Sequence, residues 1–358
     1  MAGRFFKYFP VPDYLRLPLI GLDLSNSHVR VVELVKKGGS VGLGRFGTHY
    51  VAKIGTKGED KMRGILEALA SIRDRYDIDR ACISLPEEQA FFFNIKLPVL
   101  PDDQIRSSIE LQLEEYIPFS PSEVIFDYQV LERNEGKPGY IVANVAVMPL
   151  EIVNQYVDVV TSAGIKPITL EVEASAAARA VVPRDSDDFY MLINIGSENT
   201  ILSIVGKKAI WLSNTVPIGG STFDAAIAKD TKKSIAESSK MKMNLGFTRK
   251  GGNEKVIEAL TPLVSSIRDE ISQHYKYWHS HDGASGQRIY KLLLCGSQAA
   301  IPGLGDYLSS SLGINVVLVD PWKNIFSYNN EIPELSYNEA LGYTTAIGLA
   351  MTNIESEI

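Results

Sequence analysis

Leu19-Ile-Gly-Leu-Asp-Leu-Ser-Asn-Ser-His-Val-Arg-Val-Val-Glu-Leu34 decides the fold. Leu19 to Leu24 is short, apolar and bounded by turn residues, which predicts a buried strand. Val29 to Leu34 predicts a second strand. Ser25, Asn26, Ser27 and His28 lie between them and can turn the chain, giving a hairpin whose tip carries hydroxyls, an amide and backbone N–H groups. Such a tip can cradle phosphate oxygens. Asp23 ends the buried strand, where a carboxylate costs free energy unless it is paired, hydrogen-bonded or near a cation. A Mg²⁺ that keeps its waters and sits on substrate phosphates would satisfy it.

The pattern recurs in Met191-Leu-Ile-Asn-Ile-Gly-Ser-Glu-Asn-Thr-Ile-Leu-Ser-Ile-Val205. Laid on the first copy, Asn194 falls on Asp23, Gly196 on Ser25 and Thr200 on Val29. Such a repeat points to two similar half-molecules holding a ligand between the tips. The plainer reading is two amphipathic hairpins that merely look alike.

The chain has 358 residues, enough for two or more domains. Its hydrophobic content of 45% and charged content of 22% allow an ordinary core. The net charge of −7 argues against nucleic acid as the main partner. Cys82 and Cys295 lie in apolar runs and read as buried small hydrophobes of a reducing compartment. No apolar run approaches the ~20 residues that span a bilayer. The basic, aromatic start (Arg4, Phe5, Phe6, Lys7, Phe9) reads as an extended tail or as a membrane-surface contact. Prolines 10, 12 and 18 oppose a signal-peptide core there.

In order, the expected pieces are a tail (1–18), a first lobe (19–80, completed by 168–188 and 336–358), an inserted module (81–167) and a second lobe (189–335). A subdomain at about 222–285 belongs to the second lobe. Helices are expected at Glu59–Tyr76, from Asp102 or Asp103 (as cap) through Tyr116, and at Leu150–Ala163. More follow at Glu173–Val181, Lys229–Met243, Val256–Trp278, after Gly296 through Leu312, and from the capping box Ser336/Glu339 onward. Strands include Val41–Ile54, Ala81–Leu85, Ala90–Leu97, Val124–Leu131, Tyr140–Val147, Ile168–Glu171, Ile289–Cys295 and Ile314–Val319. Gly342, Ala346, Gly348 and Ala350 suit a last helix packed closely at a domain junction.

Several blocks carry a family resemblance. They are Ile20-Gly-Leu-Asp-Leu24, Ile109-Glu-Leu-Gln-Leu-Glu-Glu-Tyr-Ile-Pro-Phe119 and Phe126-Asp-Tyr-Gln-Val-Leu131, with Ala163-Gly-Ile-Lys-Pro167, Pro217-Ile-Gly-Gly220 and Ala340-Leu-Gly-Tyr343. From about residue 19 to the C-terminus the chain resembles the superfamily of actin, the heat-shock ATPases and the sugar kinases. Within it, the chain is similar to the type IV pilus assembly protein PilM family, relatives of the division protein FtsA.

The resemblance implies a two-lobed actin-like (ribonuclease H-like) α/β fold with a small α+β module, like the family's domain 1C, inserted in the first lobe. It implies ATP or ADP with Mg²⁺ in the central cleft. It implies a cytoplasmic protein at the inner membrane that binds the N-terminal peptide of a PilN-like membrane protein and contacts other pilus machinery. Self-association stays open. The partner groove would lie between the first lobe and the module.

Carried over by resemblance, Asp23, Ser25, Asn26, Ser27 and His28 form the first phosphate loop, with Asp23 reaching Mg²⁺ through water. Asn194, Gly196, Ser197, Glu198, Asn199 and Thr200 form the second. Gly219 and Gly220 approach the nucleotide, Glu237 and Lys240 face ribose and adenine, and Gly296 and Ser297 line the adenine side.

Three positions depart from the family: Ser25 and Ser297 where it has glycine, and Asn194 where it has aspartate. An amide cannot hold a metal-bound or attacking water by charge, so nucleotide binding is expected with weak or absent hydrolysis. No catalytic residue is assigned. A nucleotide-free scaffold of the same fold is the alternative. A sugar-kinase-type phosphotransferase would need a carboxylate base, and none can be nominated. His274, His279 and His281 lack metal-site spacing with carboxylates or cysteines. The lysine pairs 36/37, 207/208 and 232/233 and the Glu114–Glu115 pair read as solvated.

Overall fold

The computed structural model describes residues 19–37, 40–51, 58–248, 253–280, 288–329 and 331–355. The expected tail (1–18), the end of the third strand (52–54) and the loop containing His281 (281–287) lie outside the described residues.

The first half runs β1 (Ile20–Leu24), β2 (His28–Lys37), β3 (Ser40–Tyr50), α1 (Gly58–Tyr76) and β4 (Arg80–Leu85). Then come β5 (Phe91–Pro98), α2 (Asp102–Glu110), β6 (Val124–Asn134), β7 (Tyr140–Pro149), α3 (Leu150–Ser162), β8 (Lys166–Val172) and α4 (Glu173–Val181). The remainder begins with β9 (Phe189–Ile195), β10 (Thr200–Gly206), β11 (Ala209–Val216), α5 (Gly220–Thr231), α6 (Ile235–Leu245) and α7 (Glu254–Ser280). It ends with β12 (Ile289–Cys295), α8 (Leu304–Leu312), β13 (Val316–Leu318), α9 (Tyr337–Ala340) and α10 (Thr344–Glu355).

Two five-stranded sheets share one order, β3-β2-β1-β4-β8 and β11-β10-β9-β12-β13. In each, three antiparallel strands are followed by two parallel ones. The hairpin tips match as well: Ser25 donates its N–H to the His28 carbonyl at 3.0 Å, and Gly196 donates to Asn199 at 2.8 Å. The repeat inferred from the two hairpins is therefore structural.

The chain between β4 and β8 carries a third sheet, β5-β7-β6. One of its faces closes over α2 through Ile95, Ile105, Ile109, Leu113 and Val145. A second core joins β1, β2 and β4 to α1 and α3. The largest core fills the second sheet and its helices and takes in α4, α10, Val32 and Leu34.

Some expectations need correction. Neither Asp102 nor Asp103 caps α2; the N-cap is Pro101, and both carboxylates lie in the first turn, where they favour the positive helix end. α2 stops at Glu110, and Leu113–Glu115 is a separate 3₁₀ turn. That tighter winding sets Leu113 and Ile117 into the core, while Tyr116 leaves the expected stripe and stacks on Phe93 at 4.3 Å between centroids. Lys229–Met243 is not one helix. Lys232 adopts φ 59°, and α6 restarts at a capping box in which Ser234 and Glu237 serve each other's backbone. The last helix is also interrupted, by a 3₁₀ turn at Leu341–Tyr343.

Cys82 and Cys295 are buried and unbridged. No helix among the described residues is long and apolar enough to cross a membrane.

Candidate functional site

The two hairpin tips face each other across a cleft lined by residues 23–28 of one and 196–199 of the other. Asp23 is buried on β1, opposite Arg30 on β2. Their charged groups are 3.8 Å apart. The Ser84 hydroxyl donates to Asp23 Oδ1 at 3.2 Å and accepts the Leu24 N–H at 2.7 Å. Burial raises the Asp23 pKa, while Arg30 and Ser84 offset part of that rise. Arg30 also lies over the Tyr343 ring, 5.6 Å from its centroid. Burial, and then Arg30, push His28 down to about 2, so its ring is neutral and its Nδ1 pairs with the Ser27 hydroxyl at 2.8 Å.

The Ser25 hydroxyl is hydrogen-bonded within its own turn. Its Oγ donates to the His28 carbonyl at 2.9 Å and accepts the N–H groups of His28 and Ser27 at 3.2 and 3.4 Å. The turn thus uses donors that a phosphate would otherwise take. The second tip has Gly196 in the matching place and no such competitor. Its carbonyls at Gly196 and Ser197 accept the N–H groups of Gly220 and Ser221 at 3.0 and 2.8 Å, which satisfies the orphan donors at the start of α5.

Of the residues expected at the site, the cleft gathers Asp23, Ser25, Asn26, Ser27, His28, Asn194, Gly196, Ser197, Glu198, Asn199, Gly296 and Ser297. Gly296 has φ 95°, and a Cβ there would collide with the Asn194 side chain. Thr200, Gly219, Gly220, Glu237 and Lys240 are not among the lining residues. Thr200 donates to the Ile218 carbonyl at 2.7 Å. Gly219 fits against the backbone of Glu198 and Asn199, and Gly220 against the Gln298 side chain. Glu237 and Lys240 are exposed, and Glu237 accepts from Ser234.

The cleft also contains groups that the hairpin pattern does not flag: Arg30, Glu88, Tyr156, Glu173, Thr344 and Thr345. Glu173 opens α4, and its pKa is raised well above the carboxylate range by burial and by Asp23, Glu88 and Glu87. Asp23 is a donor of the kind a hydrated cation takes, whereas the Ser27 and His28 N–H groups of the first tip are already used by the Ser25 hydroxyl. The free space is about 50 Å³, room for roughly four waters at ~12 Å³ each. His274 and His279 each bond the carbonyl four residues earlier through Nδ1. No cluster among the described residues could hold a metal through three or more His, Cys, Asp or Glu side chains.

A second, larger concavity of about 1120 Å³ lies where three bodies meet. Its floor is the open face of the third sheet (Phe92, Asp127, Asn144, Ala146). One wall is α4 (Ser175, Ala178, Arg179), and the other is the β10–β11 turn at Lys207 and Lys208. Asn144 ties floor to wall, donating to the Ile210 carbonyl at 2.8 Å.

A family model described as type IV pilus assembly protein PilM matches residues 21–354. Among solved structures, the chain resembles one described as the PilM–PilN type IV pilus biogenesis complex. That match has TM-score 0.76 and 21% identity over 95% of this chain and 99% of the other. MreB5 of Spiroplasma citri bound to ADP matches with TM-score 0.58 and 12% identity over 96% and 98% of the two chains. Ethanolamine utilization protein EutJ from Carboxydothermus hydrogenoformans matches with TM-score 0.56 and 16% identity over 96% and 91%. At such identities these likenesses establish the actin-like fold alone.

Proposed function

The chain belongs to the type IV pilus assembly protein PilM family, and on that premise we propose that it is an actin-like scaffold with two ligand sites. The cleft between the hairpin tips takes ATP or ADP with Mg²⁺. The groove beside the third sheet takes the N-terminal peptide of a PilN-like membrane protein, which keeps the scaffold at the cytoplasmic face of the inner membrane. The observation that carries this reading is the groove. It is large enough for a peptide, lies between the first half and the inserted module, and has a wall from each half of the molecule. Two of the similar structures support it, one a complex of PilM with PilN and the other an MreB5 with ADP bound. Asn194 in place of a carboxylate favours a binding switch over a turnover enzyme.

The test pairs two titrations by calorimetry. A synthetic N-terminal peptide of a PilN-like protein is titrated into the wild type and Ala146→Trp, which fills the groove floor. ATP and ADP with Mg²⁺ are titrated into the wild type and Asp23→Ala, with phosphate release followed in parallel. Peptide heat lost only in Ala146→Trp, and nucleotide heat lost only in Asp23→Ala, would support both sites. Peptide heat unchanged in Ala146→Trp overturns the groove assignment.

A second reading is a scaffold without nucleotide. The Ser25 hydroxyl inside its own turn and the small space between the tips favour it. Absence of nucleotide heat in the wild type, with peptide binding retained, would establish it.

A further inference from the structure

The β10–β11 turn consists of two lysines at positive φ, Lys207 at 49° and Lys208 at 62°. A hairpin turn with positive φ at both places takes Asn-Gly by preference. Lysine there is a costly choice, and costs of this kind gather at binding sites. The turn is also held in place. Gln129 of β6 donates to the Lys207 carbonyl at 3.3 Å, Asn144 of β7 to the Ile210 carbonyl at 2.8 Å, and the Trp211 indole to the Gly206 carbonyl at 2.9 Å. The backbone that carries both lysines is therefore fixed on the groove wall.

Arg184, in the link from α4 to β9, lines the same groove. Its Nε is buried with no hydrogen bond, and an unmet buried donor costs free energy that a ligand can recover. Among the described residues no carboxylate lies within 4.0 Å of Arg184, Lys207 or Lys208. Other charges of the groove are engaged. Glu171 accepts from Arg179 at 2.7 Å, Asp127 accepts the Tyr128 N–H at 2.9 Å, and Arg106 donates to the Phe126 carbonyl at 3.2 Å. Of the lining carboxylates, that leaves the exposed Asp185 to offset the unpaired cations.

We propose that Arg184 and the Lys207–Lys208 turn form an acid-binding subsite: a partner peptide in the groove lays apolar side chains on the floor and sets an aspartate or glutamate side chain against these cations. The proposal rests on the reading of the groove as a peptide site.

A carboxylate suits the set. A guanidinium fork takes it through two parallel N–H bonds, and the lysines add a positive field that draws an acidic segment in. Phe92 and Ala146 on the floor supply the apolar contact. The same peptide without its acid would leave the Arg184 Nε unmet, which is how such a site discriminates.

The experiment titrates the full chain into a fluorescein-labelled N-terminal peptide of a PilN-like protein and follows anisotropy. A second peptide carries Asn and Gln in place of every Asp and Glu. The native peptide is expected to bind the wild type about tenfold more tightly than the amidated one, the worth of one hydrogen bond between charged groups. Arg184→Gln binds the native peptide about tenfold more weakly and leaves the amidated one unchanged. The paired substitution Lys207→Asn with Lys208→Gly keeps the fold, because it supplies the residues the turn prefers. It is expected to raise the thermal midpoint while weakening the native peptide alone.

Equal affinities of the two peptides for the wild type overturn the subsite, as does tight binding of a native peptide that contains no acidic residue. Loss of both peptides alike in the paired variant also overturns it. If phosphatidylglycerol vesicles bind the wild type and not the paired variant while the two peptides bind alike, the lysines face lipid and the subsite is overturned. Failure of either peptide to bind the wild type at all removes the groove reading itself, and the subsite with it.

Discussion

Gly348 on α10 lies so close to Ala176 on α4 that a Cβ on the glycine would be driven into the Ala176 carbonyl. Two helices can meet this closely here because Gly348 presents no side chain to the Ala176 backbone. Gly21 on β1 meets the backbone of Ala346 and Ala350 in the same way. Gly348→Ala is therefore expected to destabilise the protein by about 3 kcal/mol through overpacking against backbone that cannot yield. Urea unfolding reads this as a lower midpoint with an unchanged slope.

Ser25→Gly frees the N–H groups of Ser27 and His28 from the Ser25 hydroxyl. If the first tip binds phosphate, ADP affinity rises about fivefold, the worth of roughly one net hydrogen bond of ~1 kcal/mol. Calorimetry on the two proteins decides it; equal affinities would mean the tip does not touch the ligand.

Arg30→Met leaves Asp23 buried without its cation. Breaking such a pair costs about 3 kcal/mol. The pH dependence has a defined sign. Burial holds the Asp23 pKa above its unfolded value, so its contribution is fully present below the unfolded value and is lost as pH rises through the folded one. The penalty of Arg30→Met is accordingly smallest in acid, where Asp23 is protonated, and largest above its raised pKa. Thermal unfolding of both proteins across pH measures the difference.

Lys242 on α6 is 1% exposed and pairs with Asp224 on α5 at 2.7 Å, with a further bond to the Gly220 carbonyl at 3.2 Å. Removing either partner alone, by Lys242→Met or Asp224→Leu, is expected to cost about 3 to 5 kcal/mol. The double substitution should recover most of that loss, because no buried charge is then left alone. A double-mutant cycle by denaturant unfolding gives the coupling directly.

Much of this architecture is written locally. The two hairpins declare themselves because each strand is a short apolar run and each tip is polar, and Glu173–Val181 is bounded as its alanines suggest. Arg30 is within reach of the same logic: a four-residue turn at 25–28 sets it opposite Asp23. The break before α6 is also signalled, by Ser234 and Glu237 three residues apart. A carboxylate committed to that cap is a poor choice for a cleft ligand. Glu88, Glu173 and Thr345 carry no such local mark. They come from three separate segments, and only the packing of α4 and α10 between the sheets brings them to one cleft. The groove is harder still to foresee, since its wall at Lys207 and Lys208 belongs to the opposite half.

The contact between Gly21 and α10 also bears on how the chain acquires its structure during synthesis. Among the described elements β1 is made before the others, yet the helix that covers it is made after them, and β4 must wait for the whole insertion before β8 arrives beside it. The β6–β7 hairpin and α2 need only near neighbours. The β6–β7 hairpin can therefore close on local contacts alone, whereas the cover over β1 depends on a segment more than three hundred residues further along the chain.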